Sequence, residues 1–313
     1  RFSGPQAQRM MSHIMMVFGL APAIAPVLGG WIVIFFGWRA IFLVNLPIGL
    51  AGLWLAWRFA GETARHQQHR LDLPGQLAAI AALGTLAGAL IEGGALGWSS
   101  PFVIAGFLLA GVFSVLFVWR EARAAQPMLP LSLFSHRMFA LTSLVGLLVN
   151  VAFYGLIFVL SLYFQQVNRL SAFATGLAFV PMLGAVLPAN LIAPRVAERI
   201  GAPAAIALGA ALSAAGCLAL LFIGPGTSYP AICLQLLAIS GGLGLLVPPL
   251  TSTLLGSAEP QHAGIAAGVL NATRQTGSVL GVALFGSMVG RSAAFMAGLH
   301  AALVISAGVL LAA

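Results

Sequence analysis

Arg274 is the side chain in this sequence best placed to do chemistry. It stands inside an apolar stretch as NATRQTGSVLG (271–281), with Asn271 one turn before it and Gln275 beside it. A guanidinium stays protonated, so it cannot carry a titrating proton. It can hold a carboxylate ionised, or fix neighbouring amides. Its rival reading is a snorkelling anchor near one membrane face, since Glu259 and His262 lie only a few turns away. Other constellations are missing. None of the six His residues pairs with another His, a Cys or a carboxylate at metal-ligand spacing, and His66 and His69, the nearest approach, sit in a polar loop. There is no paired carboxylate and no Ser/His/Asp set, so an enzyme is the least favoured class, and neither a metal nor a cofactor is expected. His13 and His300 read as packed side chains near span ends, Glu92 as an outer-interface carboxylate, and Cys217 and Cys233 as small hydrophobes.

The elements that must position Arg274 are set by composition. The chain of 313 residues is 60% hydrophobic and 6% charged, with a mean hydropathy of +1.04. A soluble domain of this length cannot hide that much apolar surface, so the class is an all-α polytopic membrane protein. The net charge of +8 rests on 14 basic residues, all Arg and scattered between apolar stretches. A nucleic-acid partner needs them clustered on one soluble face, and is excluded; the expected partner is the lipid bilayer.

A span needs about 20 apolar residues. Ten candidates follow: roughly 11–36, 40–57, 75–95, 101–119, 138–164, 172–193, 203–223, 230–254, 263–289 and 293–313. One set of connections carries ten Arg (residues 1, 9, 58, 65, 70, 120, 123, 137, 195 and 199), the other only Arg39, Arg169 and Arg291. The Arg-rich set is therefore cytoplasmic, and both ends of the chain with it. Segments 58–72 and 120–137 flank a self-contained hairpin at 75–119, with a short interfacial helix expected over Leu129–Phe134. The chain divides into a helix pair (1–58), linkers with the hairpin (59–137) and a six-helix bundle (138–313).

The first span ends in GLAPAIAPVLGG (19–30), then turns through Gly37, Trp38 and Arg39. A proline inside a soluble helix costs about 3 kcal/mol. In a bilayer, neighbouring helices re-satisfy the freed backbone and small residues let helices approach closely. Pro22, Pro26, Gly29 and Gly30 therefore read as a tight seam in a wall that must seal or move, which points to transport; an ordinary kinked helix is the alternative. Trp38 and Arg39 read as an interfacial anchor. The span at 138–164 carries Asn150, Phe153, Tyr154, Phe158, Ser161 and Tyr163, followed by Gln165 and Gln166. Such aromatics serve as lipid-facing packing, or as a surface for stacking and cation–π contact.

Jointly these residues resemble the major facilitator superfamily, and more narrowly its fourteen-span drug:proton antiporter branch. APVLGG (25–30) is similar to the antiporter motif of span five, and GWRAIFLVNLPIG (37–49) to the start of span six. The hairpin sits where the branch inserts two extra helices. NATRQTGSVLG resembles its span eleven, and PRVAERIG (194–201) looks like a degenerate cytoplasmic gating loop.

The resemblance covers essentially the whole chain and implies a facilitator-type bundle in the bacterial cytoplasmic membrane. It implies that spans one to four, with the proton-coupling carboxylate, are absent from this sequence. It further implies export of amphipathic small molecules, often cationic, in exchange for protons, with a periplasmic adaptor protein as an optional partner. Under it, Pro22, Ala25, Pro26, Gly29 and Gly30 form the seal. Asn150, Tyr154, Phe158 and Gln235, with Ser240, are cavity candidates. Arg195, Glu198, Arg199 and Gly201 form the gating loop, and Asn271, Arg274 and Gln275 the intramembrane polar group. The sequence departs from the motifs at Ala21, Ala25, Pro194, Glu198 and Ala202. The rival functions are export of one dedicated metabolite, such as an antibiotic or siderophore, and a facilitator-fold sensor or scaffold that moves nothing.

Overall fold

The structure is a computed structural model that describes residues 24–59, 72–124, 127–224, 226–259, 263–290 and 295–313. Among these residues every regular element is a helix. The sequence-derived spans appear as α1 (Ile24–Phe36), α2 (Ala40–Phe59), α3 (Leu73–Leu96), α4 (Pro101–Arg123), α5 (Arg137–Val167), α6 (Ala172–Ile200), α7 (Ala202–Phe222), α8 (Tyr229–Gly256), α9 (Ala263–Val289) and α10 (Phe295–Ala312). Eight of them are long and apolar enough to cross a membrane, against the ten expected. The shortfall has two causes. Residues 11–23 of the first span lie outside the described residues, which leaves α1 short. Helix α9 has the length, at 27 residues, but its polar centre around Arg274 lowers its hydropathy.

Helices α5 to α10 share one core, in which Leu156, Leu160, Met182, Leu236, Phe285 and Leu299 are fully buried. Lipid tails are as apolar as leucine, so close packing has to hold such a bundle together. Small residues provide it. Gly277 and Gly281 form a G-x-x-x-G pair on α9, where an added Cβ would strike the backbone of Leu147 and Val151 on α5. Gly209 and Gly216 on α7 do the same against α8. The surface is the reverse of a soluble protein's: Trp57 is 83% exposed and Phe222 90%, and no residue of α2 is buried. These faces suit lipid.

The hairpin α3–α4 packs together and lays α3 against α9, where Gly94 meets the backbone of Ser287. Its Arg-rich end holds a polar latch that connects segments distant in sequence. Asp72 accepts from the Gly75 N–H at 3.2 Å and pairs with Arg120 Nε at 3.4 Å. Glu121, 3% exposed, accepts from the Leu129 N–H at 2.9 Å. That bond ties the end of α4 to the segment leading into a 3₁₀ helix at Leu131–Ser135, close to the interfacial helix expected over Leu129–Phe134. Truncating Glu121 to alanine leaves the part-buried Leu129 N–H without its acceptor, at up to about 1–3 kcal/mol. Glu121→Ala is therefore expected to melt several degrees below the parent by circular dichroism, whereas Glu198→Ala, at an exposed site, leaves the transition in place. Equal melting of the two would dismiss the latch.

The expected gating loop is not a loop. Residues Pro194 to Ile200 are the last turns of α6, so Arg195, Glu198 and Arg199 are exposed helical side chains, and Arg195 Nη1 donates to the carbonyl of Leu191 at 3.4 Å. Only Gly201 lies between α6 and α7, at φ +89°, and its N–H closes the helix on Ala197. A left-handed residue there lets the chain reverse without further linker.

Candidate functional site

Two glycines, Gly30 in the middle of α1 and Gly176 on α6, decide how closely these helices approach. A Cβ added to Gly30 would lie 2.6 Å from the Ala172 carbonyl oxygen and 2.7 Å from the Cα of Phe173. In the reciprocal contact, a Cβ on Gly176 would strike the backbone of Pro26 and come within 3.1 Å of the Cα of Val27. Two contacts one helical turn apart make an antiparallel seam in which backbone touches backbone. Gly29, which the sequence reading placed in the same seam, has open space where its Cβ would be. The difference is rotational: neighbours on a helix point about 100° apart, so only one of an adjacent pair faces a given partner. Ala21 and Pro22 lie outside the described residues.

Beside the seam, α1, α5, α6, α8 and α9 line a half-open pocket of about 510 Å³. Ala25 and Pro26 line it from α1, Asn150, Phe153 and Tyr154 from α5, Asn190 from α6, Thr251 from α8 and Arg274 from α9. The G-x-x-x-G pair on α9 fixes this placement, because Gly277 holds α9 against Leu147 and Asn150 one turn beyond Arg274. Arg274 Nη2 donates to Thr251 Oγ1 at 3.3 Å. From Ala263 to Arg274 is about 16 Å along the axis, in a helix of about 40 Å. Arg274 is thus well away from the Ala263 end of α9, and its side chain lines the pocket. Asn150 Nδ2 donates to the Gly146 carbonyl of its own helix at 2.7 Å. Asn190 Oδ1 is buried with no hydrogen-bond partner.

Other expected site residues fall elsewhere. Phe158 faces a second cavity of about 820 Å³ between α3, α5 and α9, with Gln166 and Gly286. Gln235 is enclosed between α8 and α7, where its Nε2 donates to the Ala219 carbonyl at 3.1 Å, and Ser240 is fully buried on its own helix. Neither lines the pocket. Asn271 and Gln275 are exposed and do not bond to Arg274. Tyr163 is fully buried and donates to the Gly224 carbonyl at 2.9 Å, a structural bond. Gln165 is exposed and bonds Ser161. Glu92 is half-buried in the last turns of α3. His300, half-buried on α10, has a buried Nε2 without a partner. His13, His66 and His69 lie outside the described residues. The guanidinium of Arg39 stacks on Trp38, 4.9 Å from the ring centroid, as an interfacial pair would. No group of three metal-ligating side chains occurs among the described residues. The sequence reading missed Asn190 and Thr251; a lone amide in the apolar run VLPANLIA was the signal for the first.

A helical bundle with lipid-facing surfaces, glycine-packed seams and a polar-tipped pocket between helices defines a multi-pass membrane protein of the transporter kind. The chain belongs to the Major Facilitator Superfamily, which it matches over residues 1–78 and 75–282. Among curated relatives, it is 35% identical over 279 residues to the methylenomycin A resistance protein of Bacillus subtilis (strain 168), covering 89% of this chain and 60% of the relative. It is 36% identical over 265 residues to the multidrug resistance protein Stp of Mycobacterium tuberculosis (strain ATCC 25618 / H37Rv), covering 84% and 49%. The puromycin resistance protein pur8 of Streptomyces alboniger is 32% identical over 287 residues, covering 90% and 57%. The chain therefore spans about half to three-fifths of these relatives' length.

Proposed function

We propose that this chain forms part of a secondary transporter that exports amphipathic small molecules from the cytoplasm in exchange for protons. The observation that carries the reading is the pocket beside the α1–α6 seam: a drug-sized, mostly apolar space with a few convergent polar groups. In this reading α1 is span five and α10 span twelve of the facilitator core, with α3–α4 as the two extra helices of the fourteen-span branch. Residues 1–58 then belong to the first bundle, 59–137 to the linkers and hairpin, and 138–313 to the second bundle. The bundles rock about the pocket, and the tight seam prevents leakage. Among the described residues no carboxylate lines the pocket, so the proton-carrying group is expected in spans preceding α1. The proposal includes no periplasmic adaptor.

The test is drug susceptibility in a bacterial host stripped of its own pumps. Expression of the complete protein is expected to raise the inhibitory concentration of several amphipathic antibiotics; unchanged susceptibility to all of them would refute export. A narrower reading has specific support, because two relatives are named for resistance to a single antibiotic. Protection against one compound alone would select that dedicated exporter. The proposal also fixes orientation in the cytoplasmic membrane. With Cys217 and Cys233 replaced, single cysteines at Arg123 and His136 should resist impermeant thiol reagents applied to intact cells, while one at Arg169 reacts. The opposite pattern would invert the topology.

A further inference from the structure

We propose that the pocket beside the α1–α6 seam binds amphipathic anions, with Arg274 as the counter-charge for a carboxylate on the ligand. The inference rests on the export reading for its biological setting, but its own support is electrostatic. Among the described residues Arg274 is the only formally charged side chain lining the pocket, and no carboxylate pairs with it. One donor reaches Thr251 Oγ1 at 3.3 Å; a guanidinium has five. A half-buried cation midway along a membrane helix is costly until a counter-charge arrives, and such residues ordinarily pair with one another or face a substrate path. Among the described residues no acid fills that role, and in this proposal the carboxylate of the ligand does. The planar fork suits a carboxylate, which it grips through two parallel bonds.

The rest of the pocket fits the other end of such a molecule. Phe153, Val186 and Val247 supply an apolar wall, and the volume of about 510 Å³ admits a drug-sized body. Asn190 lies about 15 Å from the Arg-rich end of α6, the same depth as Arg274 on α9. Its buried Oδ1 has no partner in the protein, which leaves it to accept from a ligand N–H or O–H. This set selects against cations. A protonated amine placed beside Arg274 would meet like charge, with no carboxylate among the described residues to offset it.

The test compares three fluorescent probes with one body: anthracene-9-carboxylate, the neutral anthracene-9-methanol and the cationic 9-(aminomethyl)anthracene. Binding to the complete protein in lipid nanodiscs is read by fluorescence titration at pH 7. The carboxylate should bind about tenfold or more tighter than the amine, the scale of one charge-assisted hydrogen bond. Arg274→Gln should erase that ranking while circular dichroism shows the fold retained, and Arg274→Lys should keep the order with weaker binding. Equal or tighter binding of the amine by the parent protein, no saturable binding of the carboxylate, or a ranking that survives Arg274→Gln would each overturn the proposal. The parent ranking needs no variant to fold. Resistance measured in parallel separates the two readings. An anion ranking in a protein that confers no resistance sinks only export; resistance without that ranking sinks only the anion site.

Discussion

Replacing Arg274 with alanine is expected to abolish export by the complete protein while leaving its level in the membrane unchanged. Under the proposed anion site, the variant removes the only formal charge among the described pocket-lining residues, and with it a charge-assisted bond of about 1.5–3 kcal/mol to the ligand. It also leaves Thr251 Oγ1 without its donor. Membrane levels hold because truncation removes a charge from the middle of α9, which lowers the cost of insertion. Arg274→Lys keeps the charge but loses the planar fork, so it should retain at most a small part of the activity. Resistance profiles with immunoblots of the membrane fraction read both quantities. Near-normal resistance with the alanine variant would reduce Arg274 to a structural cation.

The second large effect separates two adjacent glycines. Gly30→Leu should eliminate export, and Gly29→Leu should leave most of it. At Gly30 the new side chain meets the backbone of Ala172 and Phe173, which cannot rotate away, and the helices must part; at Gly29 it enters open space. Overpacking of this kind typically costs about 1–3 kcal/mol, and more where only backbone is available to yield. Gly176→Leu, on the other side of the seam, should copy the Gly30 result because it strikes Pro26 and Val27. Equal resistance from Gly29→Leu and Gly30→Leu, measured at matched expression, would remove the seam from the account.

These contrasts show what the sequence makes legible. The spans are readable because a run of about 20 apolar residues has few alternatives. Their ends are less so. Helix α6 runs through Arg195, Glu198 and Arg199 to Ile200, because charged side chains at a membrane face can stay helical and solvated, where the sequence reading ended the span at residue 193. Within the site, Asn150, Tyr154 and Arg274 line one pocket, whereas Phe158, one turn on from Tyr154, faces a different cavity formed where α3 meets α9.

Gln235 shows the limit more sharply. An amide inside a span reads the same whether it faces a cavity or a neighbouring carbonyl, and here it meets Ala219. The Gly29/Gly30 distinction needed the rotation of α1, which adjacent residues of one type cannot report. The Glu121–Leu129 bond needed the path of a linker whose sequence has no regular period. The Gly277–Gly281 spacing is a G-x-x-x-G pattern that the sequence reading did not use, and it sets the face of α9 that packs on α5.

We propose a coupling in which inward protons drive outward substrate movement through the Arg274 pocket while the α1–α6 seam keeps the path sealed. It is tested most directly in proteoliposomes that hold the purified complete protein and a fluorescent amphipath. With a proton gradient imposed, the dye is expected to cross the membrane against its own gradient. A protonophore should stop that movement, and Arg274→Ala liposomes should match empty ones. Dye movement that equals that of empty liposomes, or that is indifferent to the proton gradient, would contradict the account.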